Sequence, residues 1–342
     1  MRTVNADRVV GVVALGAAVL APLYLSTYWV GTLLTQMLFL GIVAASLIFL
    51  SAYGGMVSLA QVSLFGVAGF VVGNATTNGN TKGLNLGWNP WWGVLLALVV
   101  TVLVALLFGA IASRSVGIYF LMITLTYSVI LNLTFGQVTD VSGFGGISGI
   151  PTPGAIGNVS AHPNRLYYVA LGVSLVVYIL LRYLRRTPFG LTLQGQRDDA
   201  VRMSSLGYNV ALHRTIAFAF AGFVAAIAGV LFVWWNGHID PASIDLGATI
   251  DVLVIAVIGG LFRLEGAWVG ALVFVILDNY SQQISFIGPR FETLIGLIFL
   301  AIVLVSPNGL VGMWERALAE ISGRRRGPPD PSTTVGQAEP TT

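Results

Sequence analysis

The chain reads as an all-α, polytopic membrane protein of about ten transmembrane helices, with both termini on the cytosolic side. Three observations carry that reading. Of 342 residues, 56% are hydrophobic and only 9% are charged, against about 25% charged in a soluble domain. The mean hydropathy is +0.85, so lipid must be the main solvent for this much apolar surface. The basic residues also lie asymmetrically about the apolar runs, as membrane topology requires.

A hydrocarbon layer about 30 Å thick takes roughly 20 apolar residues as a helix. Ten runs meet or approach that length: 9–25, 31–50, 56–74, 93–112, 117–136, 166–184, 211–235, 247–262, 266–281 and 290–306. The first follows Arg2 and Arg8 as a signal peptide does. No clean small-x-small cleavage site precedes Pro22, so it reads as a retained helix. The third begins GGMVSLAQVSLFGVAGF (54–70). Its glycines and polar residues make it a candidate for a broken or re-entrant span, tolerated only where protein or water covers the backbone. The eighth and ninth runs are separated by FRLE alone (262–265) and must form a tight hairpin. With the N-terminus inside, all of the 17 basic residues but Lys82, Arg165 and Arg290 fall on the cytosolic side. An odd number of spans breaks that agreement.

Residues 1–322 thus form a membrane domain. The tail from Gly323 to Thr342 has no apolar content and is expected to be disordered, with Arg324, Arg325 and Arg326 near anionic headgroups. The pI of about 9.3 reflects this sidedness. The basic residues are too scattered for a nucleic-acid surface. The absence of cysteine removes disulfides, thiolate metal sites and cysteine nucleophiles. His162, His213 and His238 fall in loops or at a span end without metal-ligand spacing such as H-E-x-x-H. No catalytic or metal site is read. There is no G-x-x-x-x-G-K-[ST] phosphate cradle either; GNTKG (79–83) has the wrong spacing and lies outside.

Residues 185–214, RRTPFGLTLQGQRDDAVRMSSLGYNVALHR, form a polar, basic loop between the sixth and seventh spans. Other cytosolic links are only a few residues long. Pro188 and Gly190 break the helix leaving the sixth span. Asp198 and Asp199 suit the first turn of a short helix within 194–207. Ala200, Met203 and Leu206 give it an apolar stripe, and Gly207 is a natural stop. Arg197, Arg202 and the two aspartates are expected to project. Such a helix offers a soluble partner a grip, or it rests on headgroups as an ordinary amphipathic helix. The aspartates serve equally well as helix caps.

This loop, followed by AFAFAGFVAAIAGVLF (217–232), resembles the permease subunits of bacterial branched-chain amino acid ABC importers, the LivM type. The matching residues are Arg197, Asp198, Asp199, Ala200, Leu206, Gly207, Ala221, Gly222, Ala228 and Gly229. Three further stretches resemble the same family: 54–70, 118–134 with GGISGIP (145–151), and 257–273 with SPNGLVG (306–312). Together they cover most of residues 40–312 in the family's order. Val201-Arg202 departs from the family's second alanine after the acidic pair, and the loop 136–164 carries Phe144 and His162 in roles the family does not assign.

The resemblance implies a multi-pass protein of the bacterial inner membrane that lines a pathway together with a second permease, related or identical. Two cytosolic ATP-binding subunits drive the pair, and an extracytoplasmic binding protein delivers solute. ATP is then bound by partners and this chain holds no cofactor. Arg197, Asp198 and Asp199 are expected to touch an ATPase, with Met203 and Leu206 filling a groove and Gly207 ending the helix.

Polar residues within spans are the handle on the pathway. Ser58, Gln61 and Ser63, with Gln36, form one group; Thr124, Thr126 and Asn132, with Tyr127 and Thr134, form another. Back-bonding to helix carbonyls is the plain alternative for the hydroxyls. Asp251 and Asp278 are expected near the outer interface, solvated there rather than buried. Gly222, Gly229, Gly259, Gly260, Gly266 and Gly270 are expected at helix contacts, and Gly266-x-x-x-Gly270 is a close-packing signature. An ion-coupled secondary transporter is a rival reading, but it asks for mid-span charge pairs that the sequence does not offer. Permeases for urea, amides, sugars or nucleosides remain open as relatives.

Overall fold

The computed structural model describes residues 16–78, 83–154, 156–157, 159, 163–281, 291–305 and 309–313. The tail 323–342, His162, Lys82, Arg290 and the first part of span 9–25 lie outside the described residues. The chain forms α1 (Trp29–Gly54), α2 (Gln61–Thr76), α3 (Pro90–Ala112), α4 (Ile118–Gln137), α5 (Pro163–Leu184), α6 (Pro188–Asp198), α7 (Ala200–Ser205), α8 (Val210–Asn236), α9 (Leu246–Gly259), α10 (Gly266–Ser281) and α11 (Phe291–Val305). Residues 16–24 are also helical. They are held to α5 by the Tyr167 hydroxyl, which donates to the Ala18 carbonyl at 2.7 Å. Among the described residues, five helices (α1, α3, α4, α5 and α8) are long and apolar enough to cross a membrane, while α2, α9 and α10 are apolar but shorter.

Local chemistry sets the helix ends. Asn89 accepts from the Trp91 amide at 3.1 Å, with Pro90 in the first turn, where its missing N–H costs nothing. Asn209 and Asp245 cap α8 and α9 through the Leu212 and Ala248 amides at 3.0 and 2.8 Å. α1 ends at Gly55, which sits at φ +65°. The Gly55 amide and the Met56 amide, the latter at 3.1 Å, both reach back to the Leu50 carbonyl, closing the helix at a left-handed stop.

The third predicted span begins late and is then unbroken. Residues 55–60, between α1 and α2, are not helical, and α2 runs without a break from Gln61 to Thr76. Met56, Ser58, Leu59 and Ala60 are nevertheless buried, so the irregular backbone is shielded by protein, as a low-dielectric setting demands.

α8 runs through the middle of the bundle, against α1, α2 and α3. The contact is made by small residues. On α3, Gly93, Ala97, Thr101, Ala105 and Gly109 are buried, while Leu95, Val99, Leu103 and Leu107 on its other face are each more than half exposed. That distribution fits a lipid-facing exterior and a close-packed interior. A β-carbon at Gly222 stands 2.6 Å from that of Ala105, and one at Gly229 stands 2.1 Å from the Phe65 carbonyl oxygen. The expected α9–α10 hairpin is present and its glycines are in backbone contact. A β-carbon on Gly259 falls 1.9 Å from the Gly266 carbonyl oxygen, and one on Gly270 falls 2.1 Å from that of Ile255.

One feature departs from an all-α plan. Ile147–Ser148 (β1) pairs antiparallel with His238–Ile239 (β2), clipping the loop after α4 to the end of α8. Gly146 makes this possible: at φ +65° its absent β-carbon leaves room for the Ile239 carbonyl oxygen, 2.2 Å from where that carbon stands. The Ser148 hydroxyl then meets His238 Nδ1 at 2.8 Å.

Candidate functional site

Two regions at opposite ends of α8 collect the functional side chains. The helix rises from Val210 beside the polar loop to Trp235 at the far end, about 37 Å at 1.5 Å per residue.

At the near end the polar loop is a helical corner, not the single helix expected over 194–207. Pro188 starts α6 instead of only breaking α5: Thr187 caps it by accepting from the Gly190 amide at 3.3 Å. Gly190 lets α6 fold back on α5, because a β-carbon there falls 2.2 Å from the Leu184 carbonyl oxygen. Asp198 is the last residue of α6, and Asp199, extended at φ −153°, forms the corner. The local reading missed this break because Asp199 caps the second helix, accepting from the Arg202 amide at 2.9 Å. A capping aspartate must itself stand outside the helix.

Arg197 is exposed, but its side chain also folds back onto the bundle. Its Nη1 donates to the Ala52 carbonyl at 2.5 Å, and its Nε and Nη2 reach one Asp198 carboxylate oxygen at 2.9 and 2.8 Å. Its side chain lies against Gly55, where a β-carbon falls 2.6 Å from Arg197 Cγ. Met203 is half-buried against Gly195, with Sδ 3.0 Å from the β-carbon position there. Leu206 is 67% exposed and Val201 77% exposed. Gly207 stops the corner at φ +89°, as read from the sequence. Beside it, the Arg185 guanidinium donates to the Tyr53 hydroxyl at 3.5 Å, and that bond pushes its pKa up from the ordinary arginine value. Beneath the corner, Gln196 is 2% exposed with neither amide atom paired, and the buried Nε of Arg214 is likewise unpaired.

In the bundle interior a polar seam surrounds the non-helical link 55–60. Gln61 Oε1 accepts from the Ser46 hydroxyl at 3.2 Å, and Gln61 Nε2 donates to Ser58 at 3.4 Å. Thr124 on α4 accepts from the Leu59 amide at 3.1 Å, which satisfies a donor that the link leaves without a helical partner. Ser63 donates to Ser128 at 2.8 Å, and Ser128 lies 3.1 Å from the Thr249 hydroxyl, linking α2, α4 and α9. The Asn132 amide donates to the Pro241 carbonyl at 2.6 Å. Thr126 stands apart: it faces outward and donates to the Met122 carbonyl at 3.0 Å. Five of the six residues expected on the pathway are therefore engaged with other elements or with the seam. Ser46, Ser128 and Thr249 were missed, since a lone hydroxyl in an apolar run carries no signal until its partner is known.

Beyond the seam a cavity of about 310 Å³ opens among α1, α2, α8, α9 and α10. Its wall is largely apolar, with Phe39, Phe65 and Phe232 prominent, and its polar groups are Gln36, Ser243, Asp251 and Asp278. The floor, Val43 and Val62, adjoins the seam: Ser46 donates to the Val43 carbonyl at 2.6 Å, and Val62 follows Gln61. Asp251 and Asp278, expected to be solvated at the outer interface rather than buried, are half-buried and line this one cavity.

A helical bundle with a lipid-compatible outside, small-residue packing and a polar, partly unwound interior defines a multi-pass membrane protein. The family described as "branched-chain amino acid transport system / permease component" matches residues 29–305, and the chain belongs to it. The chain is 26% identical over 303 residues to the probable branched-chain amino acid transport permease protein LivM of Methanocaldococcus jannaschii, covering 80% of this chain and 87% of that protein. It is 25% identical over 257 residues to the high-affinity LivM of Salmonella typhimurium, covering 68% of this chain and 60% of that protein. It is also 28% identical over 151 residues to LivH of Escherichia coli, 44% and 47% of the two chains. It is therefore a permease, not an enzyme by family, and the LivM resemblance drawn from four stretches of sequence holds over most of the chain.

Proposed function

We propose that this chain is the permease subunit of an ATP-driven importer of branched-chain amino acids in the bacterial inner membrane. In this reading it crosses the bilayer ten times, with both termini cytosolic, as the distribution of basic residues supports. It forms the pathway with a second permease. Two cytosolic ATPases bind the ATP, and an extracytoplasmic binding protein supplies solute to the far end of the bundle.

The observation that carries the reading is the helical corner α6–α7. It is tied to α1 through Arg197 and Ala52, it continues directly into α5 and α8, and it presents exposed Val201 and Leu206 away from the bundle. A push on this corner is delivered at once to three spans. Nucleotide binding that favours one position of the corner then shifts the pathway between outward and inward openings, by the difference in binding energy between the two states. Asp198 and Asp199 hold the corner's shape, while Val201 and Leu206 enter the ATPase groove.

The test is co-purification of the tagged chain from its native cell, beside a Val201→Glu/Leu206→Glu variant. A P-loop ATPase and a second multispan protein recovered with the wild type, with the ATPase lost from the variant, is the expected result. A chain that purifies alone and transports without ATP in proteoliposomes overturns the reading.

A further inference from the structure

Ser148, His238, Asp240 and Ser243 form one line from the loop after α4 to the cavity. The Ser148 hydroxyl meets His238 Nδ1 at 2.8 Å, and His238 Nε2 stands 3.6 Å from Asp240 Oδ2. The other oxygen of that carboxylate accepts from the Ser243 amide at 2.9 Å and from its hydroxyl at 2.6 Å. Ser243 lines the cavity, as does Trp235 just before β2. The segment 238–245 is seated on α2 by shape: a β-carbon on Gly69 falls 2.3 Å from Ile239, and one on Gly66 falls 2.2 Å from Ile244. Its link to the loop after α4 is slight by comparison, the two-residue pairing of β1 with β2 and the contact of Ser148 with His238.

The His238–Asp240 contact is the part of this line whose strength depends on charge. At 3.6 Å it is too long for a hydrogen bond, so it attracts strongly only when the ring is protonated. Histidine gains that charge between pH 8 and 5, where carboxylates are already ionised. The elements packed on β2 are α2, β1 and the end of α8. Neither α2 nor β1 contains a titratable residue, and those of α8, His213 and Arg214, lie at its opposite end. Asp140, in the loop before β1, is negative and acts in the same sense as Asp240. In the turn that follows, the Asp245 carboxylate is engaged by the Ala248 amide. Among these elements no cation competes with His238 for Asp240.

We propose that the segment 238–245 is a strap across the far end of the cavity, latched in acid by the His238–Asp240 pair. Protonation gives the ring a positive charge and an N–H on both nitrogens. The ring then draws Ser148 and Asp240 together, Asp240 holds Ser243, and the strap stays down. As the pH rises through the histidine range the charge is lost, the attraction goes with it, and the strap lifts more readily. The closed state is therefore favoured below that range and released above it. The proposal rests on the functional reading above, in which this end faces outside, and adds a control of solute entry by external pH.

The chain contains no cysteine, so a single introduced thiol reports on the cavity. Ala248 is partly buried in the cavity wall. In the full chain carrying Ala248→Cys, labelling by a small charged methanethiosulfonate is timed at about pH 5.5 and about pH 8, either side of the histidine range. Each rate is divided by that of the same protein with His238→Gln added, which cancels the thiol's own pH dependence. The ratio is expected to be near one at the higher pH and about two- to fivefold lower in acid, the equilibrium factor of a partly exposed ion pair. Asp240→Asn, which keeps an acceptor for Ser243, is expected to match His238→Gln, while Ser148→Ala leaves the pair in place and keeps the drop. A ratio that is constant, or higher in acid, overturns the proposal. Leucine uptake by the whole complex in proteoliposomes, with internal pH fixed, is expected to fall in external acid for the wild type and not for His238→Gln. A fall set by internal pH instead overturns the proposal. Acid-dependent labelling in a protein that moves no branched-chain amino acid keeps the latch and fails the functional reading. Leucine uptake with a constant labelling ratio does the reverse.

Discussion

Arg197 and Ala52, 145 residues apart in sequence, are joined by a hydrogen bond from the guanidinium to a main-chain carbonyl at the end of α1. That carbonyl is among the last of α1, where helical partners run out, so the arginine caps one membrane helix while belonging to another element. The same side chain grips Asp198 with two further nitrogens. This triple engagement makes the corner part of the bundle.

Lysine has one compact ammonium and cannot serve both partners. Arg197→Lys and Arg197→Ala are each expected to lower stability by about 1 kcal/mol, the low end for a charged hydrogen bond because the side chain is partly exposed. In the proposed importer their larger effect is expected on coupling: ATP hydrolysis by the complex continues while uptake per ATP drops. Parallel measurement of phosphate release and solute uptake checks this, and an unchanged ratio rejects it.

Thr124 accepts from the Leu59 amide in the non-helical link. Thr124→Val keeps the shape and leaves that buried amide unpaired, at a cost of about 1–3 kcal/mol. Thr124→Ser retains the acceptor and should unfold near the wild type. Thermal unfolding of the two variants side by side decides it.

Gly270 touches the α9 backbone at Ile255. Gly270→Ala forces α9 and α10 apart, and overpacking of this kind costs about 1–3 kcal/mol. The expected readout is a lower unfolding temperature and earlier aggregation in detergent. Gly172→Ala is the contrasting control, because nothing lies within 4 Å of the β-carbon position there.

Gln196 buries two unpaired amide atoms. Gln196→Met removes them at similar volume and is expected to stabilise the isolated chain by about 1–3 kcal/mol. If Gln196 finds a partner in another state of the cycle, the same change lowers transport while raising stability. Thermal unfolding and uptake measured on one preparation test both halves of this expectation.

Much of this architecture was legible from composition and spacing. Apolar run length located helices among the described residues, and five of them are long and apolar enough to cross a membrane, because the hydrocarbon thickness sets that length. Gly207 read correctly as a stop, and Gly266 and Gly270 as a contact, since a missing side chain has few other uses at such positions. The non-helical link before Gln61 was foreshadowed by Gly54, Gly55 and Ser58, but the break expected within the third span is not there: α2 is continuous. Asp199 misled a local reading, because an aspartate caps a helix from outside and suits its first turn from inside, and spacing alone does not separate the two.

The sequence by itself determined that lipid surrounds this chain, where its long apolar helices run, and which family it resembles. Those properties follow from local composition and from order along the chain. Only the tertiary structure decided that Asp251 and Asp278 face one cavity, that Ser63, Ser128 and Thr249 form one line, and that Arg197 turns inward to Ala52. Each depends on which faces of separate helices meet. In a bundle whose interior and exterior are both apolar, hydrophobic periodicity is too weak to say which face that is, and close packing of small residues settles it.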